Sequence, residues 1–85
     1  MMVGKEVLLI VSEGCSGCEE AKRILGENAR VMDIAKSDDA AKIALELGIM
    51  AVPTLVMYDK EEGKMCLVDR KLLPTRCISL NIGGY

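Results

Sequence analysis

The sequence predicts one α/β domain, residues 1–85, with the element order β-α-β-α-β-β and a mixed four-stranded sheet. Two observations predict this class. Short apolar runs alternate with segments whose apolar residues recur at helical spacing, which is typical of a βαβ unit with parallel strands. The last two apolar runs are separated by the polar turn Asp59–Gly63, which is typical of an antiparallel hairpin.

The first βα unit begins with Glu6–Val11, a short apolar run rich in branched residues that predicts a buried strand. Ser16 and Glu19 have the S-x-x-E spacing of a capping box, so we expect a helix to start there and to end near residues 26–28. The residues of this helix expected to face the core are Ala21, Ile24 and Leu25.

The second βα unit begins with Arg30–Ile34, which predicts a second strand. Ser37-Asp38-Asp39 is typical of a helix start, because a serine can cap the helix and acidic side chains complement the positive end of its dipole. Gly48 is a stop signal for this helix. Its expected core-facing residues are Ala40, Ile43, Ala44 and Leu47.

The last predicted strands are Thr54–Tyr58 and Lys64–Val68, and a short tail follows them. Two patterns compete in the tail. A helical face would contain Leu72, Leu73, Arg76, Cys77 and Leu80, whereas Ile78, Leu80 and Ile82 alternate as in a strand. We expect a short packed segment of helical structure.

Composition limits the possible functions. Hydrophobic residues make up 51% of the chain but only two residues, Tyr58 and Tyr85, are aromatic, so the core must be aliphatic, and we expect the six methionines to help fill it. A net charge of −2 gives no reason to expect nucleic-acid binding. The absence of histidine excludes Cys-His catalysis and mixed Cys/His zinc sites. No apolar run is long enough for a bilayer and no secretory signal is recognisable, so we expect a cytoplasmic protein without membrane contact.

The residues that carry chemistry are Cys15-Ser16-Gly17-Cys18, between the first strand and the first helix. Two cysteines at this spacing can close and reopen a disulfide with little backbone movement. The first turn of a helix stabilises a thiolate through its free N–H groups and the positive end of its dipole. We therefore expect Cys15 to be the nucleophile and Cys18 the resolving cysteine, with no cofactor other than their disulfide and no metal.

The other cysteines leave alternatives open. A C-x-x-C pair can be half of a zinc site, and without histidine only Cys66 and Cys77 could supply two further ligands. These two lack C-x-x-C spacing and lie on the hairpin and the tail, which argues against zinc. They can be buried free thiols, or they can form a second disulfide with each other.

A second motif, Gly48-Ile49-Met50-Ala51-Val52-Pro53-Thr54-Leu55, resembles the segment G-I-x-x-[IV]-P-T-L of the thioredoxin superfamily. Cys15 and Cys18 match the active-site pair of the same superfamily, and the resemblance covers about residues 5 to 69. It implies a minimal thioredoxin-like fold in which Pro53 is cis and packs beside the cysteine pair. Ser16, Gly17 and Pro53 would then be the residues that support the active site. It also implies that the backbone of Val52 pairs with an extended substrate segment.

The function implied by this resemblance is that of a thiol–disulfide oxidoreductase, which we expect to be a monomer. Such a protein reduces protein disulfides and carries electrons as a dithiol. A reductant of the thioredoxin-reductase type, or one linked to glutathione, would recharge it.

The chain departs from the thioredoxin motif W-C-G-P-C, because Gly14 and Gly17 stand where the tryptophan and the proline would be, and Leu9 replaces a buried aspartate. Two alternatives therefore stay open: a glutaredoxin-like, glutathione-linked donor, and a module in which Cys15 and Cys18 hold a metal or an iron–sulfur cluster. The acidic residues near the pair would repel anionic glutathione, which favours a thioredoxin-like protein. These residues are Glu13, Glu19 and Glu20.

Overall fold

A computed structural model of the protein describes residues 5–69, 71 and 73–79. It shows an α/β domain, as predicted. The strands and α-helices of the described residues are β1 Lys5–Val11, α1 Ser16–Leu25, β2 Arg30–Asp33, α2 Asp38–Leu47, β3 Thr54–Asp59, β4 Lys64–Val68 and β5 Pro74–Ser79. A short 3-10 helix, Gly26–Asn28, follows α1.

The strands form one mixed sheet in the order β2-β1-β3-β4-β5. β1 is parallel to β2 and antiparallel to β3, and the pairs β3–β4 and β4–β5 are antiparallel. The predicted mixture of a parallel pair and an antiparallel hairpin is confirmed. The predicted number of four strands is wrong, because β5 adds a fifth strand at the β4 edge.

The tail is extended over residues 74–79, so the expectation of helical structure there is wrong. The register opposes Met65 and Ile78, and it places Ile78 against the core on the α2 side of the sheet. Without β5, β4 would leave its outer backbone N–H and C=O groups unpaired, and this long-range pairing overrides the helical pattern. Pro74 is tolerated because it is the first residue of an edge strand. The predicted helical positions Leu72 and Leu80 lie outside the described residues.

The larger core lies between the sheet and α2. Its fully or nearly buried residues are Leu8, Ile10, Leu47, Val56 and Met65. The predicted ends of α2 are confirmed: Ser37 Oγ accepts from the N–H of Ala40 at 3.2 Å, and Gly48 ends the helix in the left-handed conformation with φ +69°. Between these two ends, Ala40 and Leu47 of α2 are buried, as expected.

A second core lies on the opposite face of the sheet, beneath α1. Its buried residues are Leu9, Val11, Cys18 and Ala29. Ala21 and Leu25 pack against this cluster as expected, but Ile24 is 68% exposed, so its predicted place in the core is wrong. The residues of α1 that pack on the sheet are Cys18, Ala21 and Leu25, and Ile24 lies at the exposed edge of this face. In the described part of the chain, no helix is long and apolar enough to cross a membrane.

Candidate functional site

Cys15 and Cys18 form a disulfide at the amino-terminal end of α1. β1 ends at Val11, and the chain turns through Gly14, whose φ of +69° favours glycine, before it reaches Cys15. Cys15 is partly exposed, whereas Cys18 is completely buried among the side chains beneath α1. A large molecule in solution can therefore contact the sulfur of Cys15 but not that of Cys18.

Cys15 is also the residue that caps α1. Its Sγ accepts a hydrogen bond from the backbone N–H of Cys18 at 3.0 Å, as a serine or aspartate oxygen does at other helix starts. The predicted capping box is therefore displaced by one residue, because Ser16 is the first residue of the helix and is exposed. The N–H that points at Cys15 Sγ stabilises negative charge on that sulfur.

Two of the three acidic residues near the pair, Glu19 and Glu20, are partnered within α1. Glu19 forms an ion pair with Lys22 at 2.8 Å, and Glu20 forms one with Arg23 at 2.6 Å, each one helical turn further along α1. The opposite charges partly offset the repulsion that the glutamates would exert on a Cys15 thiolate. Because Glu19, Glu20 and Arg23 are exposed and Lys22 is only partly buried, the pairs add little to the stability of the fold.

The segment before β3 lies against the cysteine pair. The Val52–Pro53 peptide bond is cis, the isomer that the resemblance implies. Cys15 Sγ lies 3.8 Å from the carbonyl oxygen of Val52, and a Cβ added to Gly17 would lie 3.4 Å from Pro53 Cδ. Residues that are 37 positions apart in the sequence thus meet at one end of the sheet. The predicted site residues Cys15, Gly17, Cys18, Val52 and Pro53 are brought together.

Val52 precedes the paired part of β3. The pairing of β3 with β1 ends at Thr54 opposite Ile10, so the backbone of Val52 lies beyond the ladder, next to the disulfide. The side chain of Val52 contacts both cores, which fixes its position. Thr54 Oγ1 donates to the carbonyl of Ala51 at 2.6 Å and holds the turn that leads into the strand.

One exposed apolar residue near this segment was not expected. Met50 lies between α2 and Val52 and is 97% exposed, so the expectation that the methionines fill the core is wrong for this residue. By contrast, Met65 is buried and Met32 packs against the core. The exposure of Met50 could have been predicted from its position, because it lies in the loop after Gly48 and outside any apolar repeat.

The other two cysteines are joined to each other. Cys66 on β4 and Cys77 on β5 form a disulfide, one of the two possibilities that the sequence left open. Over residues 5–69, 71 and 73–79, no three or more side chains among cysteine, aspartate and glutamate form a group that could hold a metal ion.

Comparisons of the chain with protein-family models, with curated proteins and with solved structures gave no match.

Proposed function

We propose that this protein is a thiol–disulfide oxidoreductase of minimal thioredoxin-like architecture, which reduces protein disulfides through Cys15 and Cys18. One observation carries the proposal: a disulfide at a helix start whose first sulfur is partly exposed and accepts a backbone N–H, while the second is buried. The position of the Val52–Pro53 segment against this pair supports the proposal, because the sequence resemblance to thioredoxins places this segment beside the cysteines.

The reduction begins with the dithiol form. The Cys15 thiolate attacks one sulfur of a substrate disulfide, the substrate S–S bond breaks, and a mixed disulfide between Cys15 and the substrate forms. The first substrate sulfur leaves as a thiolate and takes a proton from water. The amide of Cys18 favours this first step because it stabilises the attacking thiolate.

The second step regenerates the disulfide seen in the structure. Cys18 attacks Cys15 Sγ, the mixed disulfide breaks, and the second substrate sulfur leaves as a thiolate. Cys18 is surrounded by aliphatic side chains such as Leu9 and Val11, which disfavour a free thiolate at this position. Its proton therefore passes to the departing substrate sulfur during the attack. In sum, the substrate gains two electrons and two protons, and the Cys15–Cys18 dithiol becomes a disulfide.

The substrate is proposed to bind as an extended segment along Val52. The backbone of Val52 lies beyond the β1–β3 ladder and 3.8 Å from Cys15 Sγ, so a strand that paired there would bring its own disulfide to Cys15. Met50 offers an exposed flexible side chain beside this segment, which suits contact with varied apolar residues.

Trapping tests the order of the two cysteines. In a Cys18→Ser variant the second step is blocked, so a peptide disulfide should accumulate as a mixed disulfide on Cys15. A Cys15→Ser variant is the matched control and should lose disulfide reduction by more than about 100-fold without forming that adduct. Because Cys18 is fully buried, Cys18→Ala is a second variant that leaves no hydroxyl in the core. Adducts on Cys18 or Cys66 in place of Cys15 would contradict the assignment.

A redox titration separates this function from the alternatives. Cys15 and Cys18 should titrate together as a two-electron couple, near the value of about −270 mV that is typical of thioredoxin. Exchange with glutathione as fast as with a dithiol protein would favour the glutathione-linked donor. Metal or iron–sulfur absorption in the purified protein, with no couple at Cys15 and Cys18, would favour the metal-binding module.

A further inference from the structure

The second disulfide joins the edge strand to the rest of the sheet. Cys66 and Cys77 stand directly opposite each other in the β4–β5 register, with their Cα atoms 4.0 Å apart. β5 is otherwise weakly held by the core, since Ile78 is its one partly buried residue and the other five are exposed. Thr75 adds a hydrogen bond to the carbonyl of Leu67 at 3.3 Å. The covalent bond thus fastens a strand that has little apolar packing of its own.

The two sulfurs of this disulfide are unequally accessible. Cys66 is 8% exposed, whereas Cys77 is an exposed residue on the outermost strand of the sheet. A thiolate that breaks a disulfide approaches one sulfur in line with the S–S bond and expels the other. An approach to Cys77 in line with the bond comes from beyond β5, which is the edge strand of the sheet that the described residues form. An approach to Cys66 must come from the β3 side, where Met57 stands opposite Cys66.

The Cys66–Cys77 disulfide is remote from Cys15. One row across the sheet contains Val7, Met57, Cys66 and Cys77, whereas Cys15 packs near Val11, at the other end of β1. With a rise of about 3.4 Å per residue and about 4.8 Å between strands, Cys66 is about 17 Å from the end of β1. The two cysteine pairs of one molecule therefore cannot exchange directly, and any reductant of Cys66–Cys77 must come from outside.

We propose that Cys66–Cys77 is a second thiol–disulfide exchange site, which an external dithiol opens by attack on Cys77 and which fastens β5 to the sheet when it is closed. A thiolate of the reductant bonds to Cys77 Sγ, and the Cys66–Cys77 bond breaks with Cys66 leaving as a thiolate that takes up a proton. The second thiol of the reductant then attacks the reductant sulfur that is bonded to Cys77, and Cys77 leaves as a thiolate that takes up the proton of this thiol. The protein gains two electrons and two protons, and the reductant becomes a disulfide.

Opening this bond changes the hold on β5. The strand keeps its hydrogen bonds to β4, but that pairing is interrupted by an irregularity between Leu67 and Val68, and Ile78 is left as its main contact with the core. We therefore expect β5 to open more often in the reduced form. This site does not depend on the function proposed for Cys15 and Cys18.

The attack is tested on the oxidised wild-type protein with the monothiol N-acetylcysteine, followed by iodoacetamide. Trypsin separates the cysteines into the peptides 6–22, 65–70 and 77–85. The expected product carries N-acetylcysteine on Cys77 and the alkyl group on Cys66, at least tenfold in excess of the reverse. The reverse product in equal or greater amount would overturn the proposed point of attack. Opening by dithiothreitol only at urea concentrations that unfold the sheet would overturn the site itself.

The effect on β5 is tested by amide hydrogen exchange before and after dithiothreitol. The hydrogen-bonded amides of Thr75–Ser79 should exchange at least tenfold faster after reduction, whereas those of β1 should not change. A Cys77→Ala variant should show the fast exchange without reductant, which separates the second disulfide from the first. Unchanged exchange of β5 in both the reduced protein and the variant would show that the disulfide does not fasten the strand.

Discussion

Loss of the Cys66–Cys77 disulfide is expected to lower the stability of the protein by a predictable amount. Cys77→Ala removes the cross-link, and because Cys77 is exposed the substitution removes little packing, while the buried sulfur of Cys66 stays in place. The two cysteines are 11 residues apart. The loop-closure relation then gives an entropy of about 9 cal/mol/K, which corresponds to about 2.8 kcal/mol at 25 °C.

This loss is a large part of the stability of a small domain, which is of the order of 5 kcal/mol. Urea unfolding followed by far-ultraviolet circular dichroism measures it. With a urea dependence of about 1 kcal/mol/M for so short a chain, the midpoint of Cys77→Ala should fall by about 2–3 M relative to the wild type. Both proteins should be measured without reductant, so that Cys15–Cys18 stays closed in each.

Ser79→Ala is the matched control, since Ser79 is exposed on the same strand and takes no part in the cross-link. It should change the free energy of unfolding by less than about 0.5 kcal/mol. If Cys77→Ala costs less than about 1 kcal/mol, or no more than Ser79→Ala, the reasoning is refuted. Such a result would mean that β5 is not part of the cooperative unit that urea unfolds.

Three further substitutions test the α2 side of the sheet, each by the same urea measurement. Leu47→Ala removes a fully buried side chain between α2 and the sheet, so the free energy of unfolding should fall by about 3 kcal/mol; a loss below about 1 kcal/mol would contradict its place in the core. Ser37→Ala removes the cap on the N–H of Ala40 and should cost about 1 kcal/mol, whereas no loss would mean that the cap contributes nothing. Gly48→Ala places a Cβ at φ +69° and 3.1 Å from the Arg76 guanidinium, so it should cost about 1 kcal/mol or more; a stabilising effect would exclude this geometry.

The sequence predicted those parts of the fold that local signals determine. Ser37 and Gly48 mark the ends of α2, and Lys64–Val68 was predicted with the bounds that the structure has, because polar turn residues surround an apolar run. The cysteine pair at a strand–helix junction and the proline before β3 were likewise recognisable from short motifs. These features depend on neighbours within a few residues.

The features that the sequence did not predict depend on distant contacts. Ile24 and Cys18 both lie at the edges of the apolar face of α1. Which of them is buried depends on how the helix is oriented on the sheet, and in the structure Cys18 is buried and Ile24 is exposed. The apolar pattern of the tail is compatible with a helix or a strand. The tail forms a strand because it pairs with the edge of β4. The Cys66–Cys77 bond follows from the same pairing, which no local pattern contains.

The burial of β1 has a consequence for how the molecule opens. Leu8, Leu9, Ile10 and Val11 are each at most 2% exposed, and their strand is paired on both sides, with β2 and with β3. Their amides should be released to solvent only when the whole domain unfolds. The Cys15–Cys18 disulfide follows this strand after a short turn. The sulfurs of Cys15 and Cys18 are thus attached to the strand expected to unfold last, and their geometry can persist while the edge strands open and close.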